Sequence, residues 1–240
     1  SKKLSYEVEL QNKKTMKKYF YNFYLILINI NKYGFIEIIK ALFIELYYLL
    51  IIKDYKSWLH DDKYTNSYED TKKDDDYNAQ HTPTPYYFLT IANKFIKKKK
   101  IDDFILVDFG CGYGRVGKFF INKFNCLFYG LEINKKMIDD LDKEKNKNFF
   151  LHTINLKDKI SRKIIFDEIK SHNKTVILFI SDSFDINTIY EITRCFENTK
   201  HYLVGINIKE SKKLLINYDE VFLKEFNTKS RHVFLLSPKI

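Results

Sequence analysis

Short apolar runs alternate with amphipathic stretches through the second half of the chain. Five of the runs have the length and apolar content of buried strands. They are FILVDF, CLFYGLEI, NFFLHTI, KTVILFIS and HYLVGINI, which begin at residues 104, 126, 148, 174 and 201. Helices are predicted between them at 135–145, 161–171 and 187–197, so the strands should form a parallel sheet. YDEVFLKEF and RHVFLLS then predict a closing antiparallel hairpin.

Two further apolar stretches, at 19–30 and 35–52, precede this α/β pattern. The second has 18 residues, close to the length of a membrane span, but Glu37, Lys40 and Glu45 interrupt it. Each such charge at the centre of a bilayer would cost about 2.5–3.5 kcal/mol, so we expect no transmembrane span. The favoured interpretation is two helices that pack their apolar stripes on the main domain. A peripheral membrane contact or an oligomer interface is the alternative.

The stretch from 59 to 78 is polar and strongly acidic, and its expected role is a solvated connector. Its acids lack the spacing of an EF-hand loop. We therefore divide the chain into an N-terminal helical extension with this connector, at 1–76, and a Rossmann-like domain at 77–240. The start of the chain has no signal-peptide pattern, so a cytoplasmic location is expected.

Composition narrows the classes of function. With 45% hydrophobic and 17% aromatic residues, the chain has ample material for a folded core. Its three cysteines have no CxxC spacing and its histidines are scattered, so neither a disulfide framework nor a metal site is expected. The net charge is +10, but only four of the 41 basic residues are Arg. Since Arg is preferred for reading phosphates and bases, the charge is a weak indication of a nucleic-acid partner.

Glycine is concentrated at one place. Four of the seven glycines lie within 110–117, directly after FILVDF and before a helix-like run. Glycine allows a positive φ and a close approach of backbone to ligand, and a helix N-terminus offers free N–H groups. Gly112, Gly114 and Gly117 also satisfy the G-x-G-x-x-G pattern of dinucleotide-binding proteins. Asp108 separates the two possibilities, because its carboxylate would repel a pyrophosphate and suits a cationic ligand such as the amino-acid end of S-adenosylmethionine.

Acidic and polar residues follow the other strands. Glu132, 24 residues after Asp108, can accept hydrogen bonds from ribose hydroxyls, which NAD and S-adenosylmethionine share. Asn155 follows the third strand and Asp182 the fourth. Because ligands of parallel sheets bind beyond the carboxyl ends of the strands, these four residues are predicted to face one crevice.

The glycine segment VDFGCGYGR resembles motif I of the class I S-adenosylmethionine-dependent methyltransferases, and YGLEI is similar to their acidic second motif. YNAQHTPTPYYFL, before the first strand, is similar to an uncharacterised bacterial group with a Tyr-x-Pro-Thr-Pro segment, although His81 stands where that pattern has Tyr. The resemblance covers roughly 77 to 240. It implies a Rossmann-like class I methyltransferase sheet that binds S-adenosylmethionine and releases S-adenosylhomocysteine.

The same resemblance implies where the cofactor is held. A side chain past the third strand often contacts adenine in this superfamily, which suits Asn155, although an ordinary turn residue is an equally good interpretation. The predicted cofactor-binding residues are Thr82, Pro83, Thr84, Asp108, Gly110, Cys111, Gly112, Gly114, Arg115, Glu132, Ile133 and Asn155.

Methyl transfer is an in-line displacement that depends chiefly on positioning, and a hydroxyl acceptor also benefits from a general base. Asp182 is the leading candidate for a polar group at the reaction centre, and a cap of the next helix is an equally good interpretation. The bacterial group typically has Asn-Pro-Phe where this chain has Asp182-Ser183-Phe184, which argues mildly against a nucleic-acid base as substrate. His81 is the second catalytic candidate.

These features predict an S-adenosylmethionine-dependent methyltransferase acting on an O or N atom of a small molecule or saccharide, with nucleic acid disfavoured. Related bacterial chains suggest a surface-polysaccharide pathway. The first alternative is a protein-lysine methyltransferase, which an acidic channel at 74–76 would favour, whereas a neutral pocket lined by Tyr86, Tyr87 and Tyr113 would favour a small molecule. The second is a non-catalytic cofactor-binding module.

Overall fold

The computed structural model describes residues 34–52, 84–143, 146–181, 184–208, 210–226 and 232–239. The strands are β1 (Phe104–Phe109), β2 (Leu127–Glu132), β3 (Phe149–Thr153), β4 (Thr175–Ile180), β5 (His201–Ile206), β6 (Tyr218–Glu225) and β7 (His232–Pro238). The helices are α1 (Phe35–Ile52), α2 (Tyr86–Lys98), α3 (Arg115–Ile121), α4 (Lys135–Asp142), α5 (Lys159–Ser171) and α6 (Ile186–Arg194), with a 3-10 turn at Ser211–Ile216.

The strands form one seven-stranded sheet in the order β3-β2-β1-β4-β5-β7-β6. β1 to β5 pair in parallel, and β7 pairs antiparallel with both β5 and β6. The predicted fold, a mostly parallel Rossmann-like sheet closed by an antiparallel hairpin, is confirmed. The chain leaves β1 toward β2 and β3 on one side, and returns to β4 and β5 on the other. The strand order therefore reverses beside β1, which is where ligands of such sheets bind.

Both faces of the sheet are covered, which explains why β1 is an uninterrupted buried run. Phe104 and Leu106 belong to the apolar layer with α2 and α3, whereas Ile105 and Val107 belong to the layer with α5 and α6. Because successive residues of a strand point to opposite faces, Asp108 lies on the same face of the sheet as Phe104 and Leu106. A carboxylate thus stands at the end of a face that is otherwise apolar.

α1 packs a narrow apolar stripe on the main domain beside α2, formed by Ala41, Ile44 and Tyr48. The large apolar side chains of its other face are exposed. An ion pair, described below, also lies on the inner face. The stretch at 19–30, the acidic connector and the boundary at 76/77 lie outside the described residues.

Candidate functional site

The glycine turn connects β1 to α3 through three residues with positive φ: Gly110 at 77°, Gly112 at 52° and Gly114 at 68°. The backbone N–H groups of Gly110 and Cys111 both donate to the carbonyl oxygen of Leu131, at 2.8 and 3.1 Å. The end of β2 therefore holds the start of the turn in place.

Two of the glycines are also required by packing. A Cβ on Gly114 would lie 2.6 Å from a methyl carbon of Leu141, and its φ would strain any other residue. Gly117 lies within α3, and a Cβ there would lie 2.7 Å from the ring of Phe128 on β2. Close packing of helix on sheet therefore accounts for the third glycine of G-x-G-x-x-G, a requirement that does not depend on the ligand.

Asp108 is a buried carboxylate at the carboxyl end of β1. Its Oδ2 atom has no hydrogen-bond partner within the described ranges. Burial, and secondarily the charge of Glu132, raise the pKa of Asp108 well above its usual range. A buried acceptor without a partner is costly, so it marks a place where a ligand that donates hydrogen bonds would be stabilised.

Glu132 is buried beside it, at the end of β2. Its Oε2 accepts from the backbone N–H of Gly112 at 3.0 Å, and its Oε1 accepts from that of Asn134, also at 3.0 Å. Glu132 thus connects the glycine turn to the start of α4. The two neighbouring carboxylates make this crevice electronegative, which favours a cationic ligand and disfavours a pyrophosphate.

Cys111 lies near both carboxyl groups, and its side chain is buried. Burial, followed by the charges of Asp108 and Glu132, raises the pKa of its thiol well above the usual range. The thiol therefore stays protonated, and a thiolate nucleophile is disfavoured there. The contribution of Cys111 to the turn is its backbone N–H and its backbone carbonyl, which accepts from Gly114 N at 2.9 Å.

Arg115, the first residue of α3, is buried and braces the turn. Its Nη1 atom donates to Oε2 of Glu45 at 3.2 Å and to the carbonyl oxygen of Thr84 at 3.3 Å. Its guanidinium carbon lies 4.6 Å from the ring centroid of Tyr86. Glu45 also accepts from the backbone N–H of Tyr86. Sequence analysis did not predict this role for Glu45, which is one of two acids within the apolar stretch at 35–52.

Two further predicted cofactor-binding residues, Ile133 and Asn155, lie at the same edge of the sheet. Ile133, directly after β2, is exposed. Asn155 is exposed after β3, and its Oδ1 accepts from the backbone N–H of Lys157 at 3.0 Å. Asn155 therefore does act as a turn residue, and its contact with adenine stays a prediction.

Four residues of the predicted site lie outside the described residues: His81, Thr82, Pro83 and Asp182. The helix cap considered for Asp182 is provided by Asp185, whose Oδ1 accepts from the N–H groups of Asn187 and Thr188 at 2.9 and 3.0 Å. That cap interpretation of Asp182 is therefore wrong.

The three tyrosines considered for a neutral acceptor pocket are all buried. Tyr86 is fully buried and stacks on Tyr48 with ring centroids 4.9 Å apart. Tyr87 and Tyr113 are buried as well. Since its ring has no exposed surface, Tyr86 does not line an open pocket, and these tyrosines give no support to a sugar acceptor.

No protein-family model and no curated protein matches the chain. Solved structures of methyltransferases are similar to it. An RNA methyltransferase from Salinibacter ruber, in complex with S-adenosyl-L-homocysteine, is 13% identical, with 66% of this chain and 95% of that chain covered and a TM-score of 0.44. A TehB-like SAM-dependent methyltransferase from Corynebacterium glutamicum is 12% identical, with 75% and 98% covered and a TM-score of 0.45.

What those two proteins bind is a property of theirs, and the ligand of this chain is argued from its own residues. Among the described residues, the crevice combines a left-handed glycine turn, a buried carboxyl group with one oxygen atom that lacks a partner, and a second carboxylate that holds the turn. Within the described part of the chain, no group of three His, Cys, Asp or Glu residues is arranged to hold a metal ion. The arrangement suits an organic cation with hydroxyl groups.

Proposed function

We propose that this protein is an S-adenosylmethionine-dependent methyltransferase. One observation carries the proposal: Oδ2 of Asp108 is buried beside Glu132, at the carboxyl ends of neighbouring strands, with no hydrogen-bond partner among the described residues. A ligand with an ammonium group would supply both the hydrogen bond and the positive charge that this carboxyl lacks.

The ligand has to satisfy both carboxylates. S-adenosylmethionine has an ammonium and a sulfonium group, each positively charged, and a ribose with two hydroxyls. In this proposal Asp108 binds the ammonium group and Glu132 accepts from the ribose hydroxyls, while the exposed Ile133 lies against adenine. NAD shares the ribose but carries a pyrophosphate, which two buried carboxylates would repel.

The chemistry places few demands on the protein. When bound, the sulfonium supplies an activated methyl group to an acceptor in line with the C–S bond. The residues of this chain would hold the donor rigidly and exclude water, which accounts for much of the rate in such displacements. Asp182 and His81 remain the candidates for contact with the acceptor, as predictions from the sequence.

The proposed acceptor is an O or N atom of a small molecule or saccharide. Its support is the departure from Asn-Pro-Phe at Asp182-Ser183-Phe184 and the small share of Arg among the basic residues. A protein-lysine acceptor is the alternative. An RNA methyltransferase is among the similar structures, so the comparisons do not support the prediction that disfavours nucleic acid.

Calorimetric titration with S-adenosylmethionine, S-adenosylhomocysteine and NAD tests the cofactor. We expect saturable binding of the first two and none of NAD. Binding of NAD alone would refute the assignment of Asp108 and place the protein among the oxidoreductases. A positive result justifies an acceptor screen with a labelled methyl group, in which Asp182→Asn should lower turnover with little change in cofactor affinity.

A further inference from the structure

α1 contacts the domain through a narrow strip that contains a buried acid. None of the described helices, α1 included, is long and apolar enough to cross a membrane. Ala41, Ile44 and Tyr48 pack against the core. Among the side chains that the structure describes in α1, Glu45 is the most deeply buried, with 9% of the residue exposed. Because a buried charge is costly unless it is paired, the partners of Glu45 indicate its role.

One partner of Glu45 is the first N–H group of α2. The backbone N–H of Tyr86 donates to Oε1 of Glu45. Pro85 stands at the N-cap of α2 and forms no side-chain hydrogen bond there. The first N–H groups of a helix need acceptors from outside it, and a negative charge beside them is favourable. Glu45 therefore caps α2 from 41 positions earlier in the chain.

The other partner is Arg115, which directly follows the glycine turn. Its Nη1 atom donates to Oε2 of Glu45 and to the carbonyl oxygen of Thr84. Its guanidinium lies over the ring of Tyr86, and that ring stacks on Tyr48 of α1. The side chains of Arg115 and Glu45 are only 5% and 11% exposed, so water screens their attraction little.

These contacts join two parts of the candidate cofactor site. Gly114, the last glycine of the left-handed turn, is bonded directly to Arg115. Thr84, a predicted cofactor-binding residue, lies just before α2 and is held by the same guanidinium. Without the charge of Glu45, the buried guanidinium would lose the anion that it contacts in α1. A shift of Arg115 toward another acceptor would move the end of the turn with it.

We propose that Glu45 is a positioning residue for the cofactor, an inference that rests on the proposed function. Glu45 holds the end of the glycine turn through Arg115, and it holds the start of α2 through the N–H of Tyr86. The crevice therefore has its binding shape only while α1 is docked. Docking of α1 and binding of the cofactor are coupled, and by linkage each strengthens the other.

Calorimetric titration with S-adenosylhomocysteine tests this role. Glu45→Gln keeps an oxygen that can accept from Tyr86 but removes the charge that faces Arg115. We expect the affinity to fall by about tenfold or more, at a temperature at which circular dichroism shows the variant to be folded. Unchanged affinity would overturn the proposal.

Two control variants separate positioning from loss of charge and from loss of stability. Glu37→Gln removes the other acid of α1, which pairs with exposed lysines. Ile192→Ala leaves a cavity beneath α6, on the other face of the sheet, and should also lower the stability to urea. Both controls should bind S-adenosylhomocysteine as the unchanged protein does. A loss in either that equals the loss in Glu45→Gln would overturn the proposal.

A double-mutant cycle with Arg115→Gln tests whether the effect passes through Arg115. If it does, Glu45→Gln/Arg115→Gln should bind S-adenosylhomocysteine no more weakly than Arg115→Gln alone. Independent, additive losses would mean that Glu45 does not act by holding Arg115, and the proposal would fail.

Hydrogen exchange of the ligand-free protein provides a measurement that does not depend on the proposed function. The amides of 110–117 should exchange about tenfold or more faster in Glu45→Gln than in Ile192→Ala, because only the first variant releases the glycine turn. Equal rates would overturn the proposal. If the unchanged protein binds no S-adenosylhomocysteine, the proposed function is refuted, and the exchange rates still decide whether Glu45 positions the turn.

Discussion

Oε2 of Glu45 lies 3.2 Å from Nη1 of Arg115, so a residue of α1 contacts the residue that follows the glycine turn, 70 positions further along the chain. The same guanidinium holds the carbonyl oxygen of Thr84, just before α2. A single buried cation thus joins α1, the segment before α2 and α3. The N-terminal helix is therefore part of the support of the candidate cofactor site.

Replacing Glu45 should show this dependence. Glu45→Gln keeps the size of the side chain but removes the negative charge that faces the buried Arg115. Removing one partner of a buried ion pair is strongly destabilising, so we expect the free energy of unfolding in urea to fall by about 3 kcal/mol.

Glu37→Gln is the control on the same helix. Glu37 pairs with Lys40 at 3.1 Å, and the Lys side chain is more than half exposed. The side chain of Glu37 is only 21% exposed, but those of the two lysines that it pairs with, Lys40 and Lys224, are 55% and 43% exposed. Water screens such pairs, so the expected loss is below about 1 kcal/mol. Equal losses in the two variants would mean that the Glu45–Arg115 pair has no special role.

Asp108→Asn should separate stability from binding. It removes a charge that is buried beside Glu132 and keeps the shape of the side chain. We expect the variant to be at least as stable as the unchanged protein at neutral pH, and to lose about tenfold or more in affinity for S-adenosylhomocysteine, whose ammonium group loses its partner. Unchanged affinity in calorimetry would remove the main support of the proposed function.

The difference in the free energy of unfolding between Asp108→Asn and the unchanged protein should depend on pH. Since the pKa of Asp108 is raised in the folded state, the folded protein retains a proton that the unfolded chain releases. Stability is therefore lost as the pH rises from the usual carboxyl range through the raised pKa. Urea unfolding at about pH 5 and about pH 8 should show a growing advantage for Asp108→Asn; a constant difference would contradict the raised pKa.

Ligand affinity should depend on pH with the opposite sign. Binding of the ammonium group requires the ionised carboxyl, so the affinity for S-adenosylhomocysteine should rise with pH, by up to about tenfold per unit, until the pH passes the pKa of Asp108. It should fall again at higher pH, where the α-amino group of the ligand loses its proton. The affinity of the Asp108→Asn variant should not rise with pH. If it does rise, a group other than Asp108 causes the increase.

Much of this fold could be predicted from the sequence because its strands are buried on both faces. β1 was expected and found at 104–109, since a doubly covered strand is a continuous apolar run. The 3-10 turn at Ser211–Ile216 was missed, because only Leu214 in it is buried and so short a segment has no periodicity to detect. Asp108 and Glu132 could be predicted because each ends a recognisable strand.

The orientation of α1 could not be predicted for a different reason. An apolar stretch indicates only that something must cover it, and the favoured interpretation assigned that cover to the domain. The inner face also carries the contact between Glu45 and Arg115, which are far apart in the sequence. A pattern within a single helix contains no information about such a partner.

Glu132→Gln should affect a different part of the ligand from Asp108→Asn. Both oxygens of Glu132 accept backbone N–H groups, and a glutamine would place its own NH₂ group against one of them. Adenosine lacks the amino-acid part of the cofactor and therefore has no ammonium group. We expect Glu132→Gln to lower the affinity for adenosine by about tenfold. Asp108→Asn should leave adenosine binding unchanged. If Glu132→Gln also leaves it unchanged, another group holds the ribose.

Gly117→Ala tests whether close packing of α3 on β2 requires the third glycine. Alanine is the better helix former by about 1 kcal/mol, so an open position would become more stable. The new Cβ would instead lie 2.7 Å from the ring of Phe128, a fully buried residue. We expect a net loss of about 1–3 kcal/mol in urea unfolding, because α3 must shift away from the sheet. In a Phe128→Leu background the smaller side chain makes room, and the penalty of Gly117→Ala should shrink. If a double-mutant cycle shows no coupling between the two positions, this contact does not determine how closely α3 packs on the sheet.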